Sequence, residues 1–139
     1  MKDPAGRYTL VYNGEIYNYL EIRKILEERH QVQFRSESDT EVLLNAYIIY
    51  GEKCLQMLNG FFAFGIYDKS ENELFIARDR FGIKPIYYYQ DEDKFLFASD
   101  MHSILAYGIN KEINFEALYT YLQLNYTPAP ATMIKGVEM

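Results

Sequence analysis

The sequence predicts an α+β fold in which antiparallel sheet is covered by helices. Three observations lead there. Runs rich in aromatic and β-branched residues stand at Tyr8–Tyr12, Phe61–Tyr67, Glu73–Arg78, Ile86–Tyr89 and Phe95–Ala98. The last four follow one another through short turns, Asp68–Asn72, Asp79–Pro85 and Gln90–Lys94, which implies an antiparallel meander. Runs with helical spacing fall before and after that block, not between its strands.

Tyr8–Tyr12 is a short run suited to a buried strand. Asn13-Gly14 comes next, a pair that most often closes a hairpin. The residues beyond it, however, have helical spacing: Tyr19, Ile22, Ile25 and Leu26 share a face, while Glu21, Lys24 and Glu28 point away. Asn13-Gly14 is therefore expected at a strand-to-helix junction, with the helix starting near Glu15. A short strand is expected over Gln31–Arg35. Ser38 followed by Glu41 is a capping-box pattern, and the helix it opens runs to about Tyr50, where Gly51 is a natural stop. A second short helix, about Glu52–Leu58, ends at Asn59-Gly60. Beyond the strand block, helices are expected at Met101–Tyr107 and Phe115–Leu124. No internal repeat is visible.

At 139 residues, with 49% hydrophobic and 24% charged residues, the composition is that of an ordinary globular domain and excludes disordered and fibrous classes. A net charge of −6 argues against non-specific nucleic-acid binding, because an acidic surface repels phosphate backbones. The longest apolar run, Phe61–Tyr67, falls far short of the roughly 20 residues that a membrane helix needs. The first residues, MKDPAGRYT, contain no apolar signal core. A single cysteine, Cys54, excludes an internal disulfide framework. A soluble cytoplasmic protein without nucleic-acid or membrane partners is expected. Apolar residues resume just before Met139, so the chain is expected to be a fragment.

Four places could carry chemistry. A strand end followed by Asn13-Gly14 sets a side-chain amide beside a backbone N–H, a pair that can donate to a developing oxyanion; equally, Asn13 can cap a helix. Glu15, directly after, can hold a cation or an amine. Asp39 in the first turn of a helix suits the dipole, and it can also pair with a ligand's ammonium. Arg78-Asp79-Arg80-Phe81-Gly82-Ile83-Lys84-Pro85 can lock a loop by charged hydrogen bonds or bind an anion. Tyr87-Tyr88-Tyr89 reads as a strand with aromatics on both faces, since Asp91, Glu92 and Asp93 beside it would repel nucleic acid. Cys54 lies on an amphipathic run with no histidine near it in sequence. His30 and His102 are isolated, and no zinc motif, P-loop or G-x-G-x-x-G occurs.

Four segments occur in order: Val11-Tyr12-Asn13-Gly14-Glu15-Ile16-Tyr17-Asn18, Ser38-Asp39-Thr40-Glu41-Val42-Leu43-Leu44, Leu58-Asn59-Gly60-Phe61-Phe62-Ala63-Phe64, and Ala77-Arg78-Asp79-Arg80-Phe81-Gly82-Ile83-Lys84-Pro85-Ile86-Tyr87-Tyr88. As a set they strongly resemble the glutaminase domain of glutamine-hydrolysing asparagine synthetases, which are class II glutamine amidotransferases. The resemblance runs from about Tyr8 to the C-terminus. It implies an N-terminal-nucleophile hydrolase-like fold, two stacked antiparallel sheets flanked by helices (αββα), here incomplete at the N-terminus.

The resemblance also implies a mechanism. An N-terminal cysteine attacks the side-chain amide of L-glutamine, a glutamyl thioester forms, ammonia leaves, and water releases glutamate. The ammonia passes to a C-terminal synthetase domain, where it meets ATP-activated aspartate. By motif, Asn13 and Gly14 resemble the oxyanion hole, Glu15 lies against the bound glutamine, and Asp39 pairs with its α-ammonium. The nucleophile and the family's carboxylate-binding arginine fall upstream of the matched positions, and neither Cys54 nor Arg7 or Arg23 matches their motifs. Residues 1–139 are thus expected to be a partial type-2 glutamine amidotransferase domain, ending near the boundary to the synthetase domain. No cofactor or metal is expected here, with ATP and Mg in the parent's synthetase domain, and a homo-oligomer is possible. The alternatives are a nucleophile-lacking module that binds an amino acid or a partner, and another class II amidotransferase.

Overall fold

A computed structural model describes all 139 residues as two compact units, Met1–Lys84 and Pro85–Met139. In the first, strand β1 (Tyr8–Ile16) is followed by helices α1 (Tyr19–His30) and α2 (Asp39–Tyr50), a 3-10 helix (Gly51–Gln56), and strands β2 (Gly60–Asp68) and β3 (Glu73–Arg78). The strands form one antiparallel sheet in the order β1-β2-β3. In the second, β4 (Tyr87–Gln90), β5 (Phe95–Ala98), α3 (Met101–Leu105), α4 (Phe115–Leu124) and β6 (Val137–Glu138) follow one another. Their sheet has the order β5-β4-β6, again antiparallel.

β1 is longer than expected. Asn13-Gly14 is not a strand-to-helix junction; the strand runs on to Ile16, with Asn13 opposite Ala63 and Gly14 opposite Phe62. Glycine at position 14 is what lets it continue. A Cβ there would lie 2.3 Å from the Phe61 carbonyl oxygen, so only glycine allows so close an approach of the two strands. The helix begins at Tyr19 rather than near Glu15.

Gln31–Arg35 forms no strand. Gln31 caps α1 in a left-handed conformation (φ 57°), and its N–H and that of Val32 return to the Glu27 and Leu26 carbonyls. These residues have no neighbouring strand to pair with. The run after Tyr50 is a 3-10 helix, and Met101–Tyr107 is helical only to Leu105. The four central strands do not make a single meander, because β2-β3 and β4-β5 belong to different sheets. β6, only two residues long and paired with a strand some fifty positions earlier, carried no sequence signal.

α2 behaves as its capping residues require. The Ser38 hydroxyl accepts the Glu41 N–H at 3.3 Å. The Glu41 carboxylate does not complete the reciprocal half of a capping box. It accepts instead from the N–H groups of Arg35 and Ser36 and from the Ser36 hydroxyl, which secures the loop that leads into the helix.

The core of Met1–Lys84 lies between its sheet and α1 and α2. Leu10, Ile16, Phe64 and Ile66 from the sheet meet Ile22, Leu26, Val42 and Leu43, all at most 2% exposed. In Pro85–Met139 the buried cluster is Ile104, Ile109 and Val137.

Candidate functional site

A cleft of about 420 Å³ opens in the first unit where the end of β1 meets the start of α2, lined by Gly14, Glu15, Ile16, Tyr17, Tyr19, Glu37, Ser38 and Asp39. Strand alternation explains its β1 wall. Leu10 and Ile16 are buried on one face, while Val11, Asn13 and Glu15 are exposed on the other. In an antiparallel strand, alternate residues aim their N–H groups at the same edge. Leu10 N–H donates to the Met1 carbonyl at 2.8 Å and Ile16 N–H to Asp39 Oδ2 at 3.0 Å, so this edge faces away from β2. Gly14 has the same parity, and its N–H faces that open edge within the cleft.

Asp39 is held in place rather than loosely exposed. Its Oδ2 accepts from the Tyr12 hydroxyl at 2.7 Å and from Ile16 N–H at 3.0 Å. Its Oδ1 has one longer contact, from the Thr40 hydroxyl at 3.4 Å. Burial, and then the Asp39 carboxylate, push the Tyr12 hydroxyl far above the ordinary tyrosine range, so it remains a donor. Three carboxylates, those of Glu15, Glu37 and Asp39, line the cleft, and no Lys or Arg does. Such a lining suits an ammonium group.

The structure therefore brings Gly14, Glu15 and Asp39 to one cleft. Asn13 is exposed on the same face of β1 as Glu15, next to the cleft but not among its lining residues. Two contributors escaped the sequence reading. Tyr12 stands in the first motif, but nothing local to it announced its bond to Asp39, which spans 27 positions. Asn18 fixes the junction after β1: its amide donates to the Met57 carbonyl at 2.8 Å and accepts the Asn59 N–H at 2.9 Å. The signal for Asn18 was its place at the end of the first quoted motif.

The arginine-rich turn is a locked loop. Asp79 accepts from the N–H groups of Phe81, Ile83 and Lys84, and Arg78 donates to the Gly82 and Lys84 carbonyls. Burial works to raise the Asp79 pKa, but these three N–H donors outweigh it and hold the carboxyl below its ordinary value. Cys54 is fully buried, and burial pushes its thiol up to about 11, the opposite of an activated nucleophile. The His30 ring makes a hydrogen bond of 2.8 Å with the Tyr50 hydroxyl. No group of three or more His, Cys, Asp or Glu side chains is placed to hold a metal ion, and no helix is long and apolar enough to cross a membrane.

Comparison with known proteins bears on the family and the fold. Asparagine synthetase [glutamine-hydrolyzing] 1 of Bacillus subtilis is 43% identical over 134 residues, covering 94% of this chain and 21% of that protein. Putative asparagine synthetase [glutamine-hydrolyzing] 2 of Methanocaldococcus jannaschii is 43% identical over 130 residues, 91% of this chain and 24% of that protein. The chain thus spans about a fifth to a quarter of the length of these curated relatives. Among solved structures, the glutamine phosphoribosylpyrophosphate amidotransferase from B. subtilis, complexed with ADP and GMP, superimposes with a TM-score of 0.65 at 25% identity, over 82% of this chain and 27% of that one. The fold class expected from the motifs, antiparallel sheets with helices of the N-terminal-nucleophile amidotransferase type, is the one found. Residues 1–139 match the family described as the glutamine amidotransferase domain, and the chain belongs to that family.

Proposed function

We propose that residues 1–139 supply the glutamine-recognising part of a glutaminase, and that the protein carrying them is a glutamine-hydrolysing asparagine synthetase. The observation that supports this best is the cleft, with the Gly14 N–H edge on one side and a fixed, double-bonded Asp39 carboxylate on the other. L-Glutamine carries both a carbonyl that becomes an oxyanion and an ammonium that needs a counter-charge. In this reading Asp39 pairs with the α-ammonium and Glu15 lies against the substrate. The Gly14 N–H and the Asn13 amide donate to the oxygen that gains charge as the amide carbon becomes tetrahedral, each donor lowering the barrier by about 3 kcal/mol.

The attacking thiol in this scheme comes from outside residues 1–139, because Cys54 is sealed in the core. Its sulfur bonds to the amide carbon, the thiol proton passes to the amide nitrogen, the C–N bond breaks to release ammonia, and water then cleaves the thioester to give glutamate and the free thiol. The ammonia is passed to ATP-activated aspartate in the protein's C-terminal synthetase domain. In the same reading, ATP and Mg act in that C-terminal domain. We place the protein in the cytoplasm, in keeping with its one free cysteine.

The test is Asp39→Asn in the intact protein. Glutamine-dependent synthesis should fall by about 30-fold, the loss of one charge-assisted contact of about 2 kcal/mol, while ammonia-dependent synthesis is unchanged. Equal loss of both would make Asp39 a helix-start residue with no part in recognition. The buried Cys54 also supports a second reading, a nucleophile-lacking amino-acid-binding module. Glutamate release from glutamine by the intact protein would exclude it.

A further inference from the structure

We infer that Tyr12 is a positioning residue for substrate recognition: by holding one oxygen of Asp39, it presents the other to the α-ammonium. The inference rests on the role proposed above for Asp39. Tyr12 lies on β1 on the same face as the buried Leu10 and Ile16, and its ring packs against the core. That packing fixes the hydroxyl, which donates to Asp39 Oδ2 at 2.7 Å. The Ile16 N–H donates to the same oxygen at 3.0 Å. Both donors come from one strand, two turns of the pleat apart, and both reach one atom of a residue on another element. With Oδ2 bonded twice, rotation of the carboxylate about its last bond is restrained. Oδ1 is left with the single 3.4 Å contact from Thr40 and with lone pairs to spare, in a residue that lines the cleft.

A carboxylate at the start of a helix can turn toward its own backbone N–H groups, as an N-terminal acid commonly does. Here that alternative is closed, because the Tyr12 hydroxyl and the Ile16 N–H pull the carboxylate toward β1. The arrangement costs nothing at the moment of binding, since the geometry exists before the ligand arrives. Tyr12 is not itself a cleft-lining residue and acts through Asp39.

The experiment measures binding of two ligands to the intact protein by calorimetry. L-Glutamine carries the α-ammonium; glutaramate has the same amide and carboxylate but lacks it. Tyr12→Phe keeps the ring and removes only the hydroxyl. Glutamine should bind about tenfold more weakly, the usual effect of one hydrogen bond to a charged group, and glutaramate should bind as before. Replacing Tyr12 by 4-aminophenylalanine, which restores a donor on the same ring, should recover most of the loss and guards against a merely damaged fold. Tyr12→Phe combined with Asp39→Asn should lose no more than Asp39→Asn alone. Equal weakening of both ligands, no change in either, or additive losses in the double variant would overturn the positioning role. If the unaltered protein binds glutamine no better than glutaramate, the reading of Asp39 itself fails, and this inference with it.

Discussion

Met1–Lys84 and Pro85–Met139 each consist of a three-stranded antiparallel sheet with two α-helices, but they differ in how their helices are held. In the first, α1 and α2 contribute Ile22, Leu26, Val42, Leu43, Leu44 and Ala46 to a buried cluster that also takes in Phe62, Phe64 and Ile66. In the second, the buried apolar residues of the cluster are Ile104, Ile109 and Val137. α4 places Phe115, Tyr119 and Leu122 at 68%, 65% and 70% exposure, and only Ala117 of its ten residues is buried. What marks α4 as a helix is its ends. The Asn114 side chain accepts the Ala117 N–H at 3.2 Å, and Asn125 closes the helix in a left-handed turn. Packing holds α1 and α2, while capping does more of the work in α4, so stability is not expected to be uniform along the chain.

The largest effect should come from the packed side of this contrast. Phe64→Ala, at a position 1% exposed, should lower unfolding free energy by about 3–5 kcal/mol in chemical denaturation. In native-state hydrogen exchange, the amides of β2 should outlast those of β4. Faster exchange in β2 than in β4 would break the comparison.

Next in size is the locked turn. Asp79→Ala strips three backbone N–H groups of their acceptor and should cost about 2 kcal/mol. An unchanged denaturation midpoint would show that the turn keeps its shape without the carboxylate. A smaller loss, about 1 kcal/mol, is expected for Ser38→Ala, which removes the α2 cap from a helix that is already well packed. Asn114→Ala removes the corresponding cap from α4, and far-ultraviolet dichroism should show a larger fractional loss of helix there than Ser38→Ala causes.

The smallest effect is acid sensitivity. Arg7 donates to both oxygens of Asp68, at 2.9 and 2.6 Å, and this hydrogen-bonded pairing holds the Asp68 carboxyl down at about 2. A group with a depressed folded pKa adds stability that is fully present above its unfolded value, near 4, and is lost as pH falls from about 4 toward 2. Tm should therefore be flat from pH 7 to pH 5 and fall below pH 4. Arg7→Leu should shrink that fall only a little, because Arg7 is partly exposed and its pairing is screened by solvent. A fall as steep in the variant as in the unaltered chain would remove Asp68 from the account.

The sequence was most legible where a boundary is written locally. α2 could be placed to the residue because Ser38 and Gly51 bracket it, and β3, β5 and α4 because turn or capping residues stand at both ends. It was least legible where a residue does something unusual for its type. Asn13-Gly14 reads as a turn, yet Gly14 serves as a strand residue whose missing Cβ admits the Phe61 carbonyl. Gln31–Arg35 has strand-like residues but no strand beside it, and no local rule supplies one. The candidate site shows the same division. Gly14, Glu15 and Asp39 were found through motifs, while the Tyr12 and Ile16 bonds that orient Asp39 depend on contacts across 27 and 23 positions. Such partners become visible only once the strand and the helix start are set side by side.

The burial of Cys54 makes the chain a reporter on itself. At 0% exposure, and with burial pushing its thiol up to about 11, this sulfur is silent toward alkylating reagents while Met1–Lys84 stays closed. Labelling therefore requires an opening that uncovers Cys54, in the unit that contains α2 and the candidate site. The rate of labelling by an excess of iodoacetamide, followed by mass, becomes a clock for that opening. Ligands that close the cleft should slow the clock, and no probe needs to be introduced to read it.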